Sequence, residues 1–426
     1  MNKMKQTTIP WIPEIGLDFT IGTVKQFFVI SKDLSDDGEP ERVLKLARSG
    51  IVEKDVTTNE GQMAASYAGY NKVVPGDLLL NPMDLYSGAN CNVSELPGVI
   101  SPAYSNLRAK DAQIVFPKFY DYYFKTQYWI MAMFAHGKGV SFDNRWTLNN
   151  DTLKSYEIPV ISFEKQKRIV EKIQTEERKV DSLIFNQERQ IEKLKAYQQS
   201  LIIDVVTKGL NPCASMKDSG VDWIGKIPEK WEITKLKYIT SISRGLFNHR
   251  PRNDPRYYDG KYPFIQTGDV ARANKYITTY SQTLNELGKS VSKQFPKGTM
   301  TMTIAANVGD VAILGFDAYF PDSVVGFTVK PNYDENYVFY LFKALKESFV
   351  RASIVSTQLN LNVERSKEIL ISVTHDINEQ KAIADFLEGK CSLIENLIKI
   401  KNRKIEKLNQ YKKSLIYEYV TGKKEA

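Results

Sequence analysis

The chain has 426 residues, 42% of them hydrophobic and 25% charged, a balance that suits folded domains and excludes a disordered chain. Cys91, Cys213 and Cys391 lie too far apart for a disulfide scaffold or a zinc site, and no apolar run approaches the roughly 20 residues that cross a bilayer. A cytoplasmic, reduced protein of two or three domains is expected, and its formal charge of +8 permits a polyanionic partner.

In chain order, the first segment is Met4–Ile21, MKQTTIPWIPEIGLDFTI, which carries no apolar signal core. A variable stretch follows, and within it the aromatic run at Asp121–Phe134 has helical spacing and reads as a helix packed into a core. A long helix is predicted next, capped by Ser162 at its start and closed by Gly209. The segment Met216–Ile233 then resembles the first one, with Trp11/Trp223, Ile12/Ile224 and Ile15/Ile227 matched and Phe19 facing Trp231. Short β-rich runs are predicted at Tyr262–Ile265, Thr299–Ile304, Asp310–Leu314 and Val324–Val329, and a helix at Tyr337–Phe349. A second long helix is bracketed by Asp376 and Gly422, with a bend expected at Gly389.

The two long helices are copies of each other. IEKLKAYQQSLIIDVVT (Ile191–Thr207) returns 214 residues later as IEKLNQYKKSLIYEYVT (Ile405–Thr421), and 16 of 42 positions match without a gap back to Gln166 and Gln380. Each copy carries a sevenfold seam. In the first it runs through Val180, Ile184, Ile191, Leu194 and Leu201, and in the second through Ile394, Ile398, Ile405, Leu408 and Leu415. Polar residues fall at equivalent seam positions, Gln187/Lys401 and Gln198/Lys412, where they would fix register. The frame is repeated and the filling is not, so the two halves share one architecture with different surfaces.

The sequence offers no catalytic centre. It lacks the glycine-rich loop ending in Gly-Lys-Ser/Thr that cradles phosphates, and Gly137-Lys138-Gly139 is too short for that role. Asn81-Pro82-Met83-Asp84 lacks the second proline and the stacking aromatic of amino-methyltransferases, and Pro321-Asp322 has no nuclease partner motif. His136, His249 and His375 have no metal-ligand spacing, and no metal site is expected. What remains is a binding pattern at Ser241–Tyr258, where Arg244, Asn248, His249, Arg250 and Arg252 interleave with aromatics. Arginine reads guanine through two hydrogen bonds, asparagine and glutamine read adenine, and each can hold phosphate. The same segment also fits a solvated loop with ion pairs to Asp254 and Asp259. Gln358 and Asn360 lie near a turn, and Tyr104, Asn106, Arg108, Lys138 and Arg145 fall in loop-like stretches of the first half.

With these residues assembled, the chain resembles the specificity subunit of type I restriction–modification systems. The resemblance rests on IPEKWEITKLKYI (Ile227–Ile239), YPFIQTGDV (Tyr262–Val270), STQLNLN (Ser356–Asn362), NEQKAIADFL (Asn378–Leu387), KIEKLNQYKKSLIYEYVTGK (Lys404–Lys423) and the first-half twin of the last. The first half has no clean counterpart of Tyr262–Val270. The resemblance implies an α+β fold with two mixed α/β target-recognition domains, at 1–160 and 211–375. Two helices, at 161–210 and 376–426, would join them as an antiparallel coiled coil with pseudo-twofold symmetry. It further implies a non-catalytic subunit that binds double-stranded DNA at a bipartite, asymmetric target and docks two copies of a modification subunit, with restriction subunits as further partners. S-adenosylmethionine, ATP and Mg²⁺ would belong to those partners. The alternatives are a self-contained methyltransferase or nuclease, and a coiled-coil scaffold that never touches DNA. Tyr197, Ile202, Tyr411 and Ile416 on the outer helix faces are docking candidates, with burial against the domains as the other reading.

Overall fold

The structure, a computed structural model, describes residues 3–47, 50–56, 64–85, 91–139, 146–305, 308–353 and 363–426. Arg145, Gln358 and Asn360 lie outside the described residues. The chain divides into two compact units, Met1–Gln187 with Asn402–Ala426, and Glu188–Lys401. Each unit therefore takes half of each long helix together with one variable region.

The long helices are Phe163–Lys208 and Ile377–Val420. Asp376 caps the second as expected, its carboxylate accepting the Asn378 amide at 2.9 Å. Gly209 and Gly422 stop them in the left-handed conformation, at φ 73° and 72°. The second helix runs unbroken through Gly389, where a bend was expected. From Val180 to Leu194, and again from Ile398 to Leu415, every seam position is shielded and every other position is exposed. Within each unit the two half-helices run in opposite directions. In the first, Arg168 donates to the Ala426 carbonyl at 2.9 Å and Lys412 pairs with Asp181 at 2.6 Å. In the second, Lys401 donates to Gln190, and Gln198 and Cys391 line the same cleft.

In the first unit one four-stranded sheet runs Gly50–Glu53, Val43–Ala47, Gly98–Ile100, Asn71–Val73. A second runs Phe28–Ile30, Ser105–Ala109, Leu78–Leu80, Cys91–Val93. The helix Pro117–Trp129 lies in the core, with Phe119, Tyr120, Tyr123, Phe124 and Tyr128 all buried. Its aromatic crowding is thus packing, as its spacing predicts. It stops short of the expected Phe134, because Met131 turns to φ 61° before the short helix Ala132–Ala135.

The second unit carries a five-stranded sheet, Thr240–Arg244, Val324–Val329, Met300–Thr303, Val311–Leu314, Tyr276–Ile277, and a four-stranded sheet containing Tyr258–Phe264. The predicted strands are all present, the first extended back to Tyr258. The helix expected at Tyr337–Phe349 is two, Glu335–Ala344 and Lys346–Ser353.

Both units brace the start of their long helix alike. Buried Gln166 accepts the Phe116 amide at 2.7 Å and donates to the Ile114 and Ile161 carbonyls. Buried Gln380 accepts the Asp334 amide at 2.7 Å and donates to the Thr374 carbonyl. Phe116 and Asp334 are the N-caps of the helices Pro117–Trp129 and Glu335–Ala344, so each glutamine ties a core helix to the foot of a long one. Beside each brace an aromatic ring covers a helix-ending glycine: Phe19 on Gly422 in the first unit, Trp231 on Gly209 in the second.

Candidate nucleic-acid interface

In the second unit the strand Thr240–Arg244 pairs antiparallel with Val324–Val329, Arg244 opposite Val325. At Gly245 the chain leaves the sheet so close to the Pro321 carbonyl that a Cβ would come within 2.2 Å of it. Phe247 anchors the departing segment in a small cluster with Phe264, Leu284 and Tyr319. Beyond it the polar residues fall into two groups, each organised by one aspartate.

Asp254 is the first organiser. His249 stacks on Tyr257 with ring centroids 4.0 Å apart and shares a 3.1 Å hydrogen bond with Asp254. Arg256 grips the same carboxylate through Nη2 at 2.7 Å and Nε at 3.1 Å. Those hydrogen bonds, from Arg256 above all, hold the Asp254 carboxyl well below the usual carboxylate range. Asp322 is the second organiser. Arg244 Nε donates to its backbone carbonyl at 2.7 Å, Arg252 Nη2 donates to its carboxylate, and Arg250 Nη2 lies 3.4 Å from the same carboxylate. Arg250 also donates to the Phe247 and His249 carbonyls at 2.6 and 2.8 Å. Asn248 is exposed between the two groups.

The structure thus brings Arg244, Arg250 and Arg252 together and ties His249 to a neighbouring centre. Sequence reasoning missed Asp322 as their common partner, since a separation of 70 positions from Arg252 leaves no local signal. It anticipated ion pairing to Asp254, which Arg256 makes.

The first unit is different. Asn106 and Arg108 were expected in a loop, but they lie on the strand Ser105–Ala109, hydrogen-bonded on both sides. Alternation along that strand puts both side chains on Asp77, itself only 1% exposed as a side chain. Arg108 donates to it twice at 2.8 Å, Asn106 once at 2.9 Å, and the Val74 amide at 3.0 Å. Asn106 is fully buried, which corrects its expected place among surface readers: its amide satisfies a buried carboxylate. Tyr104 lines an open cleft of about 380 Å³ with Ser31, Lys32, Asn71, Asn149 and Asn150. Exposed Lys138 pairs by its backbone with Thr147, two residues before Asn149. The cleft joins segments distant in sequence, so Asn149 and Asn150 carried no signal beyond composition.

Of the proposed docking residues, Tyr197 and Tyr411 are exposed, whereas Ile202 and Ile416 are buried in the cores of their units. Leu393, Leu397 and Ile400 were not anticipated, and all three are exposed on the second long helix. Among the described residues no group of three or more His, Cys, Asp or Glu could hold a metal ion, and no helix is long and apolar enough to cross a membrane.

Residues 228–410 match the family described as type I restriction modification DNA specificity domain. The type I restriction enzyme MjaVIII specificity subunit of Methanocaldococcus jannaschii is 25% identical over 370 residues, 83% of this chain and 81% of that one. The chain thus carries a match to this domain over residues 228–410 and is similar to type I restriction enzyme specificity subunits. The MjaIX specificity subunit of the same organism is 31% identical over 190 residues, 43% of each chain. A third relative there, 28% identical over 285 residues, is matched over 62% of its length. In fold, the chain is similar to one from a study of complex assembly and conformational transition of the type I R-M system. The TM-score is 0.69 at 12% identity, over 96% of this chain and 99% of that one. The HsdS subunit from Thermoanaerobacter tengcongensis is similar with TM-score 0.50 at 13% identity, over 96% and 98%. The mixed α/β fold with two long helices is the fold of these structures.

Proposed function

We propose that this chain is a specificity subunit that reads a bipartite, asymmetric DNA target, one half-target per unit, and that the modification and restriction chemistry belongs to other subunits. The observation that carries this reading is the contrast between the two units. Both use the same glutamine brace, the same aromatic-on-glycine closure and the same opposed half-helices. Their candidate surfaces share nothing: an arginine loop gathered by two aspartates in one, an amide- and tyrosine-lined cleft in the other. Equivalent frames with unlike surfaces suit two unlike half-targets. The formal charge of +8 supports DNA as the common partner, and exposed Arg244, Asn248, Arg252 and Lys138 are proposed to touch its bases or its phosphates.

The long helices are proposed to pair as an antiparallel coiled coil that sets the gap between half-targets. The sevenfold shielding of their seams supports this. Their exposed apolar residues, Leu393, Leu397 and Ile400 among them, are the proposed docking surface for two copies of the modification subunit. That partner would bring S-adenosylmethionine, and the restriction subunits ATP with Mg²⁺. Genome-wide mapping of methylated bases, in cells with and without this chain, tests the proposal. The expected result is a two-part motif with a fixed gap that vanishes with the chain; an uninterrupted motif, or one that persists, removes it.

A further inference from the structure

We propose that Asp322 is a positioning residue that aims Arg252 at a guanine in the half-target read by the second unit, an inference that rests on the DNA-reading function above. The four arginines near this loop are committed to different degrees. Arg250 spends its Nη1 on two loop carbonyls and leans on Asp322 with Nη2, so it closes the turn. Arg256 lays one edge of its guanidinium against Asp254. Arg244 reaches Asp322 through Nε, from the end of a strand. Arg252 makes no side-chain hydrogen bond among the described residues other than the one from Nη2 to Asp322, so Nε, Nη1 and the second Nη2 hydrogen stay available and one of the two parallel forks of its guanidinium remains open. Its side chain is 47% exposed, which leaves that fork within reach of a ligand while Asp322 holds the guanidinium.

That arrangement suits a base better than a phosphate. A phosphate clamp gains from undiminished positive charge, and a carboxylate touching the guanidinium both offsets that charge and repels the approaching anion. Guanine O6 and N7 are neutral acceptors, for which direction matters more than charge, and the planar fork of arginine matches them. Holding the fork by a second partner restricts its rotamers before DNA arrives and lowers the ordering cost of the contact. Tyr258 supports the same loop by donating its hydroxyl to the Arg252 carbonyl.

The test uses the full-length chain co-expressed with its modification partner. A randomised duplex library is selected on the wild type, and the selected duplex and its single-base variants become the probes. Arg252→Lys keeps the charge and loses the fork. The expected result is loss of about 5- to 150-fold of discrimination at one guanine, with an unchanged salt slope. Asp322→Asn should relax the same position while affinity for unrelated duplex stays level or rises. Full discrimination in Arg252→Lys overturns the assignment, whatever Asp322→Asn does to folding. So does equal weakening on cognate and unrelated DNA. A wild-type complex that selects no sequence at all overturns the DNA-reading function, and this assignment with it.

Discussion

Asp121 and Asp77 show how a single buried carboxylate can set local structure. Asp121 is fully buried on the helix Pro117–Trp129 and takes Lys118 at 2.7 Å and Lys125 at 2.8 Å, one turn to either side. Burial alone would lower the Lys125 ammonium, but the negative groups around it, Asp121 foremost, together hold it above its ordinary value. Burial, together with the same negative charge, pushes the neighbouring Cys91 thiol up, so that it remains an inert core group. Asp121→Ala strands two lysine ammoniums against the core. We expect a loss of about 3–5 kcal/mol in urea unfolding, and clearly less for a Lys118→Ala variant, whose side chain reaches solvent. Equal losses would show that the trio does not act as a unit. Asp77 gathers Asn106 and Arg108 in the same manner, and this is where residue-scale reading of the sequence fell short. Asn106 near a supposed loop looks like a base reader until a carboxylate some 30 residues away claims its amide.

At the scale of elements, local chemistry carried further. Capping residues, glycine stops and sevenfold spacing delivered both long helices to within a residue or two of their observed ends. Periodicity is a local signal, and a helix of more than 40 residues repeats it many times. The sheets' pairings were not legible, because Gly98–Ile100 pairing parallel with Val43–Ala47 depends on contacts across some 55 residues. Gln166 and Gln380 were visible as matched letters, yet their function as braces needed the fold. Replacing either by Ala leaves the Phe116 or Asp334 amide and the matched carbonyls unpaired in a buried site. About 1–3 kcal/mol should be lost for each group left unsatisfied, read as a lower urea midpoint. Glu368 gives a pH-dependent counterpart. It bridges Lys235 at 2.5 Å and Lys237 at 2.6 Å, and those hydrogen bonds, Lys235 first, pull its carboxyl down to about 2. A lowered folded-state value means the contribution is present above the ordinary glutamate range, near 4.5, and fades as pH falls toward 2. The melting temperatures of wild type and Glu368→Gln should therefore differ at pH 7 and converge by pH 2. The site is exposed, so the difference should also shrink in high salt.

For the whole molecule, the proposed gap is open to test through the length of the two long helices. Gln187 and Lys401 occupy equivalent positions in the repeat, and the division into two units falls at those same two residues. A heptad inserted after Gln187 alone would leave seven residues of the first helix without opposing seam positions. A heptad after Gln187 and another after Lys401 keep both seams in phase, because the pattern itself repeats every seven residues. At 1.5 Å per residue each helix grows by about 10.5 Å, roughly the rise of three base pairs. If the helices set the gap, the methylated motif should keep both half-sequences and widen its spacer by about three base pairs. Base-resolution mapping of methylation reads this directly, and circular dichroism checks that the longer helices have formed. A functional double insertion with the original spacer would assign the gap to the recognition surfaces themselves. A changed half-sequence would show instead that the helices shape the reading surfaces and do more than separate them.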